Sequence, residues 1–259
     1  MITESFPAAG FKNVIAIDSY SKILSVAVSN GKEILYTETN PEMRHSELAM
    51  DIIDTLIKKA SLSPCALQGV LCMAGPGSFT GLRIGYSIAK GLALSLSIPF
   101  AAIPTLDCIA FQLTDNNDLK PANPGSRLPT SDSPIILPLI EARKNSYFYA
   151  FYQDEKRLTP DKEADSEQII REIEQIYARA PSGKSLLYLT GNSSVKLYDS
   201  LPQKLKGNII LNFENKGCAN KLLHLANKMK VLDNDNSSFL YAGPEYVRES
   251  DAETALRKV

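Results

Sequence analysis

Along this chain the period of the apolar positions changes several times, and each change marks an element. Val14 to Ile17 is an unbroken apolar, β-branched run closed by Asp18-Ser19-Tyr20-Ser21, which reads as a buried strand and a turn. Ile23 to Val28 alternates in strand fashion. Asn30-Gly31 tolerates positive φ at both positions and predicts a hairpin into a third strand, Glu33 to Thr39. From Ser46 to Ala60 the period lengthens, placing Ala49, Ile52, Ile53, Leu56, Ile57 and Ala60 on one helical face. His45 or Ser46 is placed to cap this helix, with Glu47 at its positive end and Lys58 and Lys59 at its negative end. Leu48 and Met50 fall off the stripe, so the apolar surface is broader than one core contact requires. Gly69 to Ala74 reads as a buried strand. Gly75 to Gly81 is a loop, and Leu82 to Ile98 a second helix. Gly81, Gly85, Ala89 and Ala93, four apart, give that helix a stripe of small side chains.

The order is thus three antiparallel strands, a helix, a parallel strand and a helix, which is the ribonuclease-H-like arrangement. After a polar stretch, Asp115 to Ser133, the pattern returns. Ile135 to Ile140 is apolar, Glu141 to Asn145 turns, and Ser146 to Tyr152 is a strand. Gln168 to Ala178 is helical, Ser185 to Thr190 is a strand, and Gly191 to Ser194 turns again. Asp18 corresponds to Glu141, and the Gly75 loop to the Gly191 turn. The repetition implies two similar lobes with mixed sheets flanked by helices. A last helix, Ala219 to Lys230, is expected to close back on the first lobe. The first lobe is then residues 13–112 with the helix at about 218–230, and the second is 113–217 with the tail.

Composition removes several classes. With 259 residues the chain can bury a large core without staples. The formal charge of −1 supplies no global field toward nucleic acid or anionic membrane. A role on RNA has to run through a local patch or a partner. Cys65, Cys72, Cys108 and Cys218 contain no Cys-x-x-Cys and read as small buried hydrophobes. No stretch reads as a signal peptide or a membrane span, so a cytoplasmic protein is expected.

The chemistry-bearing signals are few. Gly75-Pro-Gly-Ser-Phe-Thr-Gly-Leu-Arg83 lies between a strand and a helix. It is either a tight structural turn or an anion site, in which Gly77, Ser78, Thr80 and Arg83 meet a carboxylate or phosphate. It is not a Walker loop, because Leu82-Arg83 stands where Lys-Ser/Thr is required. Asp18 and Ser19 follow the first strand, where an Asp either faces metal and phosphates or closes an Asx turn on its own backbone. Glu141 is its second-lobe counterpart. His45 is a helix-start or interface residue, or else a metal ligand or base. A helical metal pair needs a second His four residues on, and Ala49 stands there. The broad first helix and the small stripe of the second either cover the sheet or receive a partner.

These segments resemble the TsaB (YeaZ) family. The resemblance rests on Ile15-Ala-Ile-Asp18-Ser19, His45-Ser-Glu47, the run Gly75 to Gly85, Pro104-Thr-Leu106, Glu141-Ala-Arg143 and the tail Tyr246-Val-Arg248 with Asp251-Ala-Glu253. It spans nearly the whole chain except the first twelve residues and the Asp115–Ser133 loop. It implies an α/β fold of the actin/sugar-kinase-like architecture, two ribonuclease-H-like lobes. It also implies a non-catalytic partner that supports TsaD in N6-threonylcarbamoyladenosine modification of tRNA, with TsaE as a further partner, a homodimer when alone, and tRNA reached only through the complex. TsaD itself carries a metal on a His-x-x-x-His helix. No catalytic residue, metal or cofactor is then expected in this chain, and ATP with Mg²⁺ would belong at the partner interface. That interface is expected at His45, Leu48, Ala49, Ile52, Gly81, Gly85, Ala89 and Ala93. The competing reading is a kinase-like ATPase or peptidase-like enzyme using Asp18, Glu141 and the Gly75–Arg83 loop. The sequence departs from the family at Tyr20, Glu141 and Lys144.

Overall fold

Ahead of the expected first strand lies another, β1 (Ile2–Ser5), whose short polar sequence carries no periodic signal. It precedes β2 (Val14–Asp18), β3 (Leu24–Ser29) and β4 (Glu33–Thr39). Then follow α1 (His45–Lys59), β5 (Gly69–Gly75), α2 (Phe79–Leu96), β6 (Phe100–Pro104) and α3 (Thr105–Asp115). The computed structural model describes residues 1–6, 10–40, 44–115, 133–179, 186–213, 216–232 and 243–244. The expectations for the Asp115–Ser133 loop and for the tail at Tyr246–Arg248 and Asp251–Glu253 lie outside the described residues. The chain divides into two compact units, one holding the described residues up to Gln112 and again from Lys216, the other those from Leu113 to Asn215.

In the first unit the sheet order is β1-β4-β3-β2-β5-β6. β2 runs antiparallel to β3 and parallel to β5, in the register Ile17↔Val26 and Ile17↔Cys72. β5 is buried along its whole length, as a parallel strand with both faces covered should be. Ile15, Ile17, Val26, Val28 and Val70 form one core with Ile53, Leu56 and Ile57 of α1 and with Tyr86, Ala89 and Ala93 of α2. Each Ile or Leu fully buried there contributes about 1.5–3 kcal/mol. Strand residues alternate faces, so Ala16, Asp18 and Ala27 point the other way. Across that side packs the last described helix, α7 (Ala219–Met229).

Two helix starts differ from the expectation. α1 begins at His45, with Arg44 in the capping position and no side-chain cap; Arg44 instead pairs with Glu47 at 2.7 Å. α2 begins at Phe79, three residues early, because the Ser78 hydroxyl accepts from the Gly81 N–H and carries the helix through that glycine.

The second unit contains β7 (Ile135–Arg143), β8 (Ser146–Tyr149), β9 (Tyr152–Gln153), β10 (Lys156–Arg157), β11 (Lys162–Asp165), α4 (Ser166–Arg179), β12 (Leu187–Thr190), α5 (Ser194–Ser200), α6 (Gln203–Lys206) and β13 (Ile209–Leu211). Its ladder runs β11-β8-β7-β12-β13, with the β9–β10 hairpin beside the start of β7. The single strand expected from Ser146 to Tyr152 is broken because its two ends pair with opposite ends of β7. Between them Phe151 turns its N–H to the Thr159 hydroxyl. Set beside β4-β3-β2-β5-β6, this ladder repeats one order: third, second, first, fourth, fifth, with the first strand antiparallel to the second and parallel to the fourth.

Candidate functional site

The turn after β2 meets α7 through one row of side chains. Asp18 stands opposite Ser25, and Ser25 opposite Glu38, so the three share a face across β2, β3 and β4. The first amides of α7 and of the residues leading into it have no intrahelical acceptor and sit at the positive helix end. Gly217 N–H donates to Glu38 Oε2 at 2.7 Å, Cys218 N–H to Asp18 Oδ2 at 2.7 Å, and Ala219 N–H to Ser25 Oγ at 3.1 Å. Ser25 in turn donates to Asp18 Oδ2 at 3.0 Å. Tyr20 N–H donates to Asp18 Oδ1 at 3.2 Å, closing the Asx turn. A helix end suited to an anion exists here, and the chain's own carboxylates meet it. Burial of Asp18 pushes its carboxyl up from 3.8 to about 6, against the three hydrogen bonds that favour the ionised form.

The Gly75 loop is fastened to the same turn. Ser78 N–H donates to Tyr20 O at 2.7 Å, and the Ser19 hydroxyl donates to Gly81 O at 2.8 Å. A Cβ on Gly81 would lie 2.0 Å from Ser19 O, and one on Gly85 would lie 2.4 Å from Ser19 Oγ. These glycines let a helix backbone press onto a turn. Of the residues expected near an anion, Asp18, Ser19, Gly77 and Ser78 come together at this joint. Thr80 is exposed on the outer side of α2, as is Arg83, whose guanidinium lies 3.8 Å over the Phe79 ring. Glu141 belongs to the other unit, where its carboxylate accepts from Lys196 at 2.6 Å.

The expected interface set is corrected by burial. His45, Ala49, Gly81, Gly85, Ala89 and Ala93 are all buried, and Leu48 and Ile52 alone of the set are half-exposed. The small stripe faces inward, because small residues are what permit α2 to lie close over Ser19 and the sheet. His45 Nε2 is buried without a hydrogen-bond partner among the described residues. The outward face of α2 is a different set. Phe79, Thr80, Arg83, Ile84, Ser87 and Ile88 line, with Ser46, a shallow groove of about 400 Å³. Farther along, Gly91 looks into open space and Leu94 is 64 % exposed. Cys65 is also exposed, while Cys72, Cys108 and Cys218 are buried.

Sequence reasoning did not single out Ser25, Glu38 or Cys218. A signal existed: the Asn30-Gly31 turn sets the pairing of β3 with β4 and thereby brings Ser25 opposite Glu38. Among the described residues, no three His, Cys, Asp or Glu side chains form a group able to hold a metal ion. No helix of the described residues is long and apolar enough to cross a membrane.

Two units that repeat the ribonuclease-H-like strand order make this an α/β protein of two mixed sheets flanked by helices. Residues 39–256 match the protein family described as TsaD, tRNA N6-adenosine threonylcarbamoyltransferase. The chain belongs to that family. It is 28 % identical over 141 residues to the tRNA threonylcarbamoyladenosine biosynthesis protein TsaB of Bacillus subtilis, which covers 54 % of this chain and 55 % of that one. The TsaB of Escherichia coli is 28 % identical over 155 residues, covering 59 % and 61 %. The matched stretches thus span little more than half the length of these curated relatives. A crystal structure from Pseudomonas aeruginosa, of an uncharacterized protein with similarity to peptidase YeaZ, superposes with a TM-score of 0.70 at 18 % identity. It covers 92 % of this chain and 100 % of that one.

Proposed function

We propose that this chain is an accessory subunit in N6-threonylcarbamoyladenosine modification of tRNA, binding TsaD and leaving the transfer chemistry to it. The observation that carries the reading is the state of Asp18. The acidic turn that an enzyme of this fold would aim at metal and phosphates is buried here, with both oxygens already accepting from Tyr20, Ser25 and Cys218. The family membership and the names of the curated relatives supply the pathway. In this role the chain has no catalytic residue and no cofactor of its own, works in the cytoplasm, reaches tRNA through the complex, has TsaE as a further partner and self-associates when alone.

The docking face is the outer side of α1 and α2, where Phe79, Ile84, Ile88 and Leu94 leave apolar surface at least partly uncovered. Replacing Gly91 by Arg tests it. A side chain there meets nothing within 4 Å, and the change removes a helix-interior glycine, so the fold is kept or strengthened. Pull-down with TsaD is expected to lose the partner with Gly91→Arg. Undiminished pairing by the folded variant would assign TsaD to another surface. Turnover of ATP by the isolated chain, dependent on Asp18, would instead favour the enzyme reading.

A further inference from the structure

Strand β1 sits on the outer edge of the first sheet, antiparallel to β4, in the register Ile2↔Tyr36, Thr3↔Leu35, Glu4↔Ile34 and Ser5↔Glu33. β4 runs from Glu33 to Thr39 and is centred on Tyr36. If two copies of β4 paired antiparallel about a two-fold axis at Tyr36, the residues facing Tyr36, Leu35, Ile34 and Glu33 would be Tyr36, Thr37, Glu38 and Thr39 of the second copy. β1 presents Ile2, Thr3, Glu4 and Ser5 to those same positions. The two quartets match in kind at every place: a large apolar body, then Thr, then Glu, then a hydroxyl.

From this correspondence we propose that β1 is an internal stand-in for a second copy's β4. It occupies an edge that would otherwise pair with another molecule of this chain. An uncovered sheet edge is a template for strand addition, and a short strand laid over it is one way to blunt it. β1 covers only four residues of β4, whereas the two-fold pairing would use the whole strand, so the substitute needs an anchor. Glu4 supplies one: Asn220 Nδ2 of α7 donates to its carboxylate at 3.3 Å, and His224 Nε2 lies 2.9 Å from it. Phe6 supplies the other, buried to 3 % exposure with its ring edge-on to His224 at 5.2 Å. Glu38 already accepts from the Gly217 N–H just ahead of the same helix, so the match between Glu4 and Glu38 extends to the segment each one grips.

The test places a reporter on the two-fold axis in the full-length chain. With Cys65→Ser removing the exposed native thiol, Tyr36→Cys would face its own copy at about 4.5–5.5 Å between Cα atoms, within disulfide reach. Thr3→Pro with Glu4→Pro breaks the β1 ladder whichever amides it uses. Under a mild oxidant the proline variant, folded by circular dichroism, is expected to give at least about tenfold more dimer disulfide-linked through position 36 than the chain with β1 intact. A synthetic peptide Met-Ile-Thr-Glu-Ser-Phe should suppress that dimer. Glu4→Ala with His224→Ala, which loosens the anchor and leaves the strand, should fall between the two and decides the matter if the proline variant does not fold. Folded variants that give no cross-link, or the same yield with β1 intact, would overturn the proposal. Self-association through α1 and α2 would not bring position 36 onto its copy, so it cannot imitate the result.

Discussion

Strands β2 and β7, which hold the same place in the two sheets, each carry one carboxylate near the C-terminal end, Asp18 and Glu141, and the two live in opposite surroundings. Asp18 is fully buried and accepts from a backbone amide of its own turn, a strand hydroxyl and the Cys218 amide that caps α7. Glu141 is exposed and pairs with an exposed Lys196. The strand order around them is the same. What differs is the element laid over the sheet: in the first unit the chain returns at Lys216 and sets a helix end on the row Asp18, Ser25, Glu38. Topology therefore does not decide whether a carboxylate near a strand's end is open to chemistry; the covering helix does.

The widest separation should appear on removing each carboxylate. Asp18→Ala strands two buried amides and a hydroxyl and is expected to lower stability by about 3–5 kcal/mol in urea unfolding. A loss below about 1 kcal/mol would erase the contrast. The pH profile sharpens it. Between its ordinary value of 3.8 and about 6, Asp18 holds a proton in the folded chain that the unfolded chain has released. The native state binds the extra proton, so stability falls by about 3 kcal/mol as pH rises from about 4 to about 6, then levels. Asp18→Asn should remove that slope, whereas Glu141→Gln should keep it; a slope retained by Asp18→Asn would place its origin elsewhere. Two glycines of α2 give a smaller separation. Gly81→Ala forces a methyl into Ser19 O and should cost about 1–3 kcal/mol in thermal melts. Gly91→Ala meets nothing and should stabilise by up to about 1 kcal/mol. Equal effects would mean that α2 does not press on the turn. The smallest change is Glu141→Ala, below about 1 kcal/mol, as for other exposed ion pairs.

Much of the fold was legible because local chemistry and global order agree. The Asn30-Gly31 turn, the unbroken run Gly69 to Ala74 and the 3.6-residue period of Ser46 to Ala60 each specify one element. β1 was not legible, since four residues on an edge, three of them exposed, have no core face to impose a pattern. The small stripe of α2 was seen but turned outward in the reading. Period shows that Gly81, Gly85, Ala89 and Ala93 share a face, and only the packing shows that the face meets Ser19 and the sheet. The Asp18 joint was half legible. The Asx turn follows from local sequence, but the contact with Cys218 spans 200 positions and depends on where α7 returns.

Titration of the isolated chain with ATP and Mg²⁺ in a calorimeter tests most directly the claim that the Asp18 turn is closed to ligands. No saturable heat dependent on Asp18 is the expected result. Stoichiometric binding that a folded Asp18→Asn variant abolishes would contradict it.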